Sequence, residues 1–113
     1  MAKDDYYVIA YRILVYLYEC LKNGENPDIE YIQYNSKAIN ISENYWEYIM
    51  RHLYEEEYLE GMSLIPVVGR CKIVRLTKDI MITPKGIEFL NDNSAMSKAK
   101  EFLKTLKETI PGI

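Results

Sequence analysis

Residues 41–61, ISENYWEYIMRHLYEEEYLEG, are the most informative stretch of the chain because they join a capped helix to the start of a strand. Ser42 is a preferred helix N-cap residue, and Ile41 before it can pack on Trp46 as a hydrophobic staple. Four apolar side chains at helical spacing predict one inward face: Trp46, Ile49, Met50 and Leu53. After Glu57 the helical period ends, and residues 58–65 are typical of a strand interrupted by glycine. The stretch therefore predicts a helix that leads directly into a β-strand.

A shorter helix is predicted immediately before this stretch. Asp28 serves as its N-cap, Ile29 and Ile32 face inward, and the helix ends near residues 34–36. A polar turn at residues 37–40 joins it to the capped helix that follows. Two short capped helices joined by a tight turn are typical of a helix-turn-helix.

A β-hairpin is predicted after the helix-turn-helix. A second strand is expected at residues 80–82, and residues 71–76 either extend one of the strands or form a third. Thr83 then caps another helix, with Pro84 at its first position. A helix-turn-helix followed by a β-hairpin, the wing, is the pattern of a winged helix. The predicted fold class is therefore α+β, winged helix.

A long helix is predicted at each end of the chain. The first ends at Asn23-Gly24, a helix stop signal, and is apolar on two sides, which predicts burial on both. Its second apolar stripe comprises Val8, Tyr11, Val15 and Tyr18. The last helix, within residues 94–110, has a seam of five residues: Met96, Ala99, Leu103, Leu106 and Ile110. We expect one domain, residues 1–113, with a core at 1–93 and this seam packed on the first helix, either within the chain or across a homodimer.

Composition limits the classes of function. The chain has 113 residues, one histidine and two isolated cysteines, Cys20 and Cys71, so a zinc site is not expected. Cys20 lies on the inward face of the first helix, where we expect a small core side chain. No nucleophile, base and metal-ligand constellation is recognisable, so we expect no enzyme activity and no cofactor.

Neither a secretory leader nor a membrane span is expected. Asp4, Asp5, Arg12 and Glu19 interrupt the apolar amino-terminal run, and no small-residue cleavage site follows. No segment approaches the roughly 20 apolar residues that a membrane span needs. We therefore expect a cytoplasmic protein with reduced thiols.

Five segments of the chain carry a family resemblance: residues 1–6 (MAKDDY), 16–22 (YLYECLK), 82–90 (ITPKGIEFL), 99–104 (AKEFLK) and 110–112 (IPG). Together they resemble the YjcQ-like family of small winged-helix proteins of bacteria and their prophages. The resemblance covers nearly the whole chain, and both chain ends make it more specific than the Thr-Pro-Lys-Gly segment alone. It implies the winged-helix fold and a role in DNA binding, and it supplies no catalytic residue.

Charge is divided unevenly along the chain. Residues 1–61 hold five Lys/Arg and twelve Asp/Glu, whereas residues 62–113 hold nine Lys/Arg and five Asp/Glu. An anion-binding face is therefore expected in the second half. The hairpin there carries four cations: Arg70, Lys72, Arg75 and Lys78. They are candidate phosphate contacts, and the alternative is a solvated hairpin whose charge prevents edge-to-edge strand pairing.

The helix of residues 42–57 is the other candidate DNA contact, because the second helix of a helix-turn-helix lies in the major groove. Its outward residues include Asn44, Tyr48 and Arg51, and Asn and Arg are good readers of base edges. Five glutamates surround them, and Glu47 is placed to pair with Arg51. Lys37 in the preceding turn adds one more cation.

Two functions follow from this distribution of charge. The leading hypothesis is a small DNA-binding transcriptional regulator that binds double-stranded DNA weakly, mainly through the wing. The alternative is a protein-interaction module whose acidic helix, residues 42–57, binds a protein partner.

Overall fold

The computed structural model describes residues 5–92, and the predicted helix within residues 94–110 lies outside them. Six elements follow one another: α1 (Tyr6–Asn23), a 3₁₀ helix (Ile29–Ile32), α2 (Glu43–Glu55), β1 (Leu59–Val67), β2 (Arg70–Ile82) and α3 (Pro84–Asp92). Within residues 5–92 this is three α-helices and an antiparallel two-stranded hairpin. The α+β, winged-helix layout predicted from the sequence is confirmed.

The first helix, α1, is the centre of the core. Gly24 ends it with φ 69°, and its backbone N–H donates to the carbonyl oxygen of Leu21 at 3.2 Å. The predicted burial on two sides is confirmed: Ile9 and Ile13 are fully buried on one side, and Val8 is fully buried on the other. Cys20 is buried, as predicted, and burial raises the pKa of its thiol.

The second predicted helix is wrong in length and type, since only a single 3₁₀ turn forms. Asp28 caps it as predicted, accepting the N–H of Glu30 at 3.0 Å. The indole N–H of Trp46 donates to the carbonyl of Ile32 at 2.8 Å. An α-helix would use that carbonyl to bond the N–H of Ser36, which donates to the carbonyl of Gln33 instead. The turn is therefore shaped by α2 packing against it.

The next helix, α2, confirms the sequence prediction closely. The Ser42 hydroxyl accepts the N–H of Tyr45 at 3.3 Å, and all four predicted inward residues are buried. Glu57, just beyond the helix, has φ 64°, and the N–H of Tyr58 donates to the carbonyl of Leu53 at 3.0 Å. This tight turn at the end of α2 leads the chain directly into β1.

Residues 71–76 could have extended a strand or formed a third one, and in the structure they are part of β2. Leu59 pairs with Ile82 at the base and Val67 with Arg70 at the tip. Thr83 caps α3 as predicted, accepting the N–H of Gly86 at 3.0 Å, and its hydroxyl donates to the carbonyl of Glu57 at 2.6 Å. The base of the wing is therefore bonded to the end of α2.

Candidate nucleic-acid interface

A large irregularity divides the wing into a base and a distal part. Glu60 pairs with Met81 and Met62 with Leu76, so residues 77–80 of β2 lie opposite Gly61 alone. The Thr77 hydroxyl closes this bulge by donating to the carbonyl of Gly61 at 2.5 Å. We call residues 61–78 the distal wing.

One face of the distal wing packs and the other is open. Met62 and Val74 are buried, and Leu64 and Leu76 are half-buried on the same face. Arg75 is exposed and pairs with Ser63 on the opposite face, because side chains alternate along a strand. The backbone of β2 places Arg70 and Lys72 within its first three residues, next to the hairpin tip.

The structure separates Lys78 from the other three predicted wing cations. Lys78 lies in the bulge, at the border between the distal wing and its base. It lines a small cleft of about 90 Å³ together with Leu17, Leu21 and Pro27, which belong to α1 and the loop after it. Lys78 therefore lies near the body of the domain, whereas Arg70, Lys72 and Arg75 lie further along the hairpin.

The predicted contacts on α2 share one exposed side of the helix. Asn44 and Tyr48 are exposed and Arg51 is half-buried, at spacings of four and three residues. Together with Glu55 they form what we call the outer face of α2. The predicted Glu47–Arg51 ion pair stays a prediction. The Arg51 guanidinium lies 5.8 Å from the ring centroid of Tyr48, a cation–π distance.

Negative charge surrounds this outer face. Residues 42–57 contain five glutamates and a single Arg or Lys, Arg51. Glu43, Glu55, Glu56 and Glu57 are exposed. Because phosphate contacts supply much of DNA affinity, this distribution opposes a close approach of a phosphate backbone to α2.

An aromatic cluster joins α2 to the start of α1, and the sequence analysis missed it. The Tyr48 ring lies 4.4 Å from the His52 ring and 6.3 Å from the Tyr6 ring, which in turn contacts Tyr7 at 5.1 Å. Burial, reinforced by the neighbouring tyrosine phenols and by one glutamate, raises the pKa of Tyr6 to about 12. The Tyr6 phenol therefore stays neutral and packs as an apolar ring at physiological pH. The abundance of tyrosine was the available signal, but it does not indicate which rings meet.

The buried side chain of Arg12 is a second feature that was not predicted from the sequence. It is 7% exposed, and its guanidinium Nη1 donates to the carbonyl of Ala38 at 2.7 Å, next to the exposed Lys37. Burial lowers the pKa of Arg12, although an arginine remains charged in proteins. Arg12 thus attaches the turn that precedes α2 to the middle of α1. A signal was present, since Arg12 is the only charged residue between Asp5 and Glu19.

Comparison with known families shows which family the chain belongs to. A family model described as YjcQ protein matches residues 11–109 of the 113. The chain belongs to the YjcQ family. This membership confirms the resemblance seen in the sequence, and no curated protein and no solved structure matches the chain.

The helices within residues 5–92 are either too short or too polar to cross a bilayer. The same residues bring together no group of three or more His, Cys, Asp or Glu side chains that could hold a metal ion.

Proposed function

We propose that this YjcQ-family protein is a small non-enzymatic regulator of transcription, of bacterial or prophage type, that binds double-stranded DNA in the cytoplasm. The observation that carries the proposal is the charge of the distal wing. Residues 61–78 contain Arg70, Lys72, Arg75 and Lys78 and no acidic residue. Each cation that neutralises a phosphate releases counterions from the duplex, which favours binding at low salt.

In this proposal the wing supplies most of the affinity and α2 supplies a weaker contact. Asn44, Tyr48 and Arg51 would face base edges, and Lys37 would add a phosphate contact from the turn. The glutamates around α2 reduce its share. Dimerisation of the chain, which the sequence allows, would double the number of wings on one duplex.

The test is a fluorescence-anisotropy titration of random duplex DNA at about 50 and 200 mM salt. The wing variant changes Arg70, Lys72 and Arg75 to Ala, and the control changes Lys22 and Lys85 to Ala. We expect the wing variant to reduce the salt slope by roughly 0.9 for each lost phosphate contact. The control should change the slope per removed cation far less, since Lys22 pairs with Glu19 at 3.1 Å.

A second function is favoured by the chemistry of α2. Tyr48 is 48% exposed beside Arg51, and both residue types are enriched where interfaces bind most strongly. A protein-interaction module would use this outer face and its acidic surroundings to bind a protein partner. If the purified protein fails to bind duplex DNA even at low salt, wing-led DNA binding is wrong and this second function takes its place.

A further inference from the structure

The tip of the wing is apolar, which the basic composition of the hairpin conceals. Four consecutive apolar residues, Ile65, Pro66, Val67 and Val68, are all exposed. Val68 is fully exposed, at 102% of its reference area. Runs of exposed apolar residues are unfavourable in water and are kept where a partner covers them.

The tip is also as narrow as a hairpin allows. Val67 pairs with Arg70, so only Val68 and Gly69 form the loop, and Gly69 has the φ of 83° that such a turn needs. The register shifts between Ile65 and Val67, at Pro66, which has no N–H to give to the ladder. Because Gly69 has no side chain, Val67 and Val68 are the side chains presented at the end of the wing.

The surroundings of the tip limit what can cover it. With four cations and no acidic residue in the distal wing, two copies of the tip would repel each other. A lipid interface is favoured by Trp and Tyr, but residues 59–82 contain no aromatic residue in a chain that has 11 tyrosines. The tip is better matched by a partner that has a narrow groove, with negative charge along its edges and apolar surface inside it. The stacked bases of duplex DNA between two phosphate backbones form such a surface.

We propose that Val67 and Val68 enter the DNA minor groove as an apolar wedge, unstack a base step and bend the duplex. The proposal rests on the proposed DNA-binding function. The minor groove is about 6 Å wide, and proteins that bend DNA from this groove insert apolar side chains between base steps. Arg75, exposed on the open face of β2, contacts a phosphate beside the groove. A contact of this kind selects DNA by how easily a base step unstacks, as at TA steps, and not by hydrogen bonds to particular base edges.

The experiment measures binding and bending separately on one duplex. A duplex of about 30 base pairs with a central TA step carries a fluorophore pair at its ends, and a second copy carries 2-aminopurine at that step. The wedge variant is Val67→Ser with Val68→Ser. The control is Leu21→Ser, which removes an apolar side chain at the far end of α1 whose exposure, 41%, is close to the 37% of Val67.

We expect the wild-type protein and the control to shorten the end-to-end distance and raise 2-aminopurine fluorescence. The wedge variant should bind with an affinity reduced by about tenfold or less, because the cations remain, and should produce neither signal. Salt-dependent binding without bending by the wild type, or equal bending by the wedge variant, would overturn the wedge and leave the proposed function standing. Absence of duplex binding would overturn both. Vesicles of phosphatidylcholine and phosphatidylserine then serve as a probe, and sedimentation with them, lost in the wedge variant, would assign the tip to a lipid surface.

Discussion

The distal wing and the outer face of α2 are both exposed, yet their chemistry is opposite. The distal wing has four cations, no acidic residue and no aromatic ring. The outer face of α2 places Arg51 against the ring of Tyr48, with glutamates around them. In a helix-turn-helix protein the helix is expected to lie in the groove and read the bases. Here the element suited to read bases and the element suited to hold phosphates are different pieces of the chain.

This difference follows from what each element does in the fold. The helix α2 contributes Trp46, Ile49, Met50 and Leu53 to the core, so only its outer face is free to contact a partner. The hairpin rests on the body only at its base and along one face, which leaves its tip to other contacts. Affinity that depends on charge should therefore respond more strongly to the wing than to α2, and three variants test this in turn.

The largest effect is expected from Gly61→Ala at the base of the distal wing. Gly61 has φ 85°, and a Cβ there would overlap the backbone of Asp79. We expect a loss of about 3 kcal/mol in the free energy of unfolding, together with loss of DNA binding as the wing changes register. Urea unfolding and DNA anisotropy measure the two quantities.

The matched control is Gly69→Ala, which has a similar φ of 83° but nothing within 4 Å of the added Cβ. It should cost about 1 kcal/mol, the strain of the left-handed backbone alone. Equal stability losses in the two variants would show that the close contact at Gly61 does not hold the wing.

A smaller effect is expected from Arg12→Met, which alters the attachment of the turn that precedes α2. It leaves the Ala38 carbonyl without its 2.7 Å donor, and we expect a loss of about 2 kcal/mol in the free energy of unfolding. The salt slope of DNA binding should stay unchanged, because the wing cations are untouched. A folded Arg12→Met protein that no longer binds DNA would instead place the main contact at the turn and α2.

The smallest effect is expected from changing Glu55, Glu56 and Glu57 to Gln. If α2 faces the same duplex as the wing, removing three negative charges should raise DNA affinity by about fivefold at low salt. The matched control changes Glu25, Glu30 and Glu88 to Gln, three exposed carboxylates outside α2. Equal gains for both triple variants would mean that net charge, and not the position of α2, controls the affinity.

The secondary structure of this chain could be predicted well where short-range chemistry decides it. Ser42 caps α2, Gly24 ends α1 and Thr83 caps α3, because each device acts within a few residues of itself. The inward stripe of α2 follows from helical spacing alone. The prediction was wrong for the second helix, because the Trp46 indole bonds the Ile32 carbonyl 14 residues away.

Part of the candidate site could be predicted in the same way. Asn44, Tyr48 and Arg51 share a face because helical spacing requires it, and the positive charge of the hairpin is visible in composition. Composition could not show that Lys78 lies apart from the other wing cations, because the bulge opposite Gly61 depends on how two strands pair. The bond between Arg12 and Ala38, 26 residues apart, was equally hidden.

The order of the elements, their caps, the winged-helix class and the family could all be inferred from the sequence. Each depends on contacts within one or two helical turns, or on a pattern that extends along the whole chain. Three features became visible only in the folded chain: which rings meet around Tyr48, what the buried Arg12 bonds and that the tip of the basic wing is apolar. These depend on the burial and register of residues distant in sequence, and neither is set by any single segment.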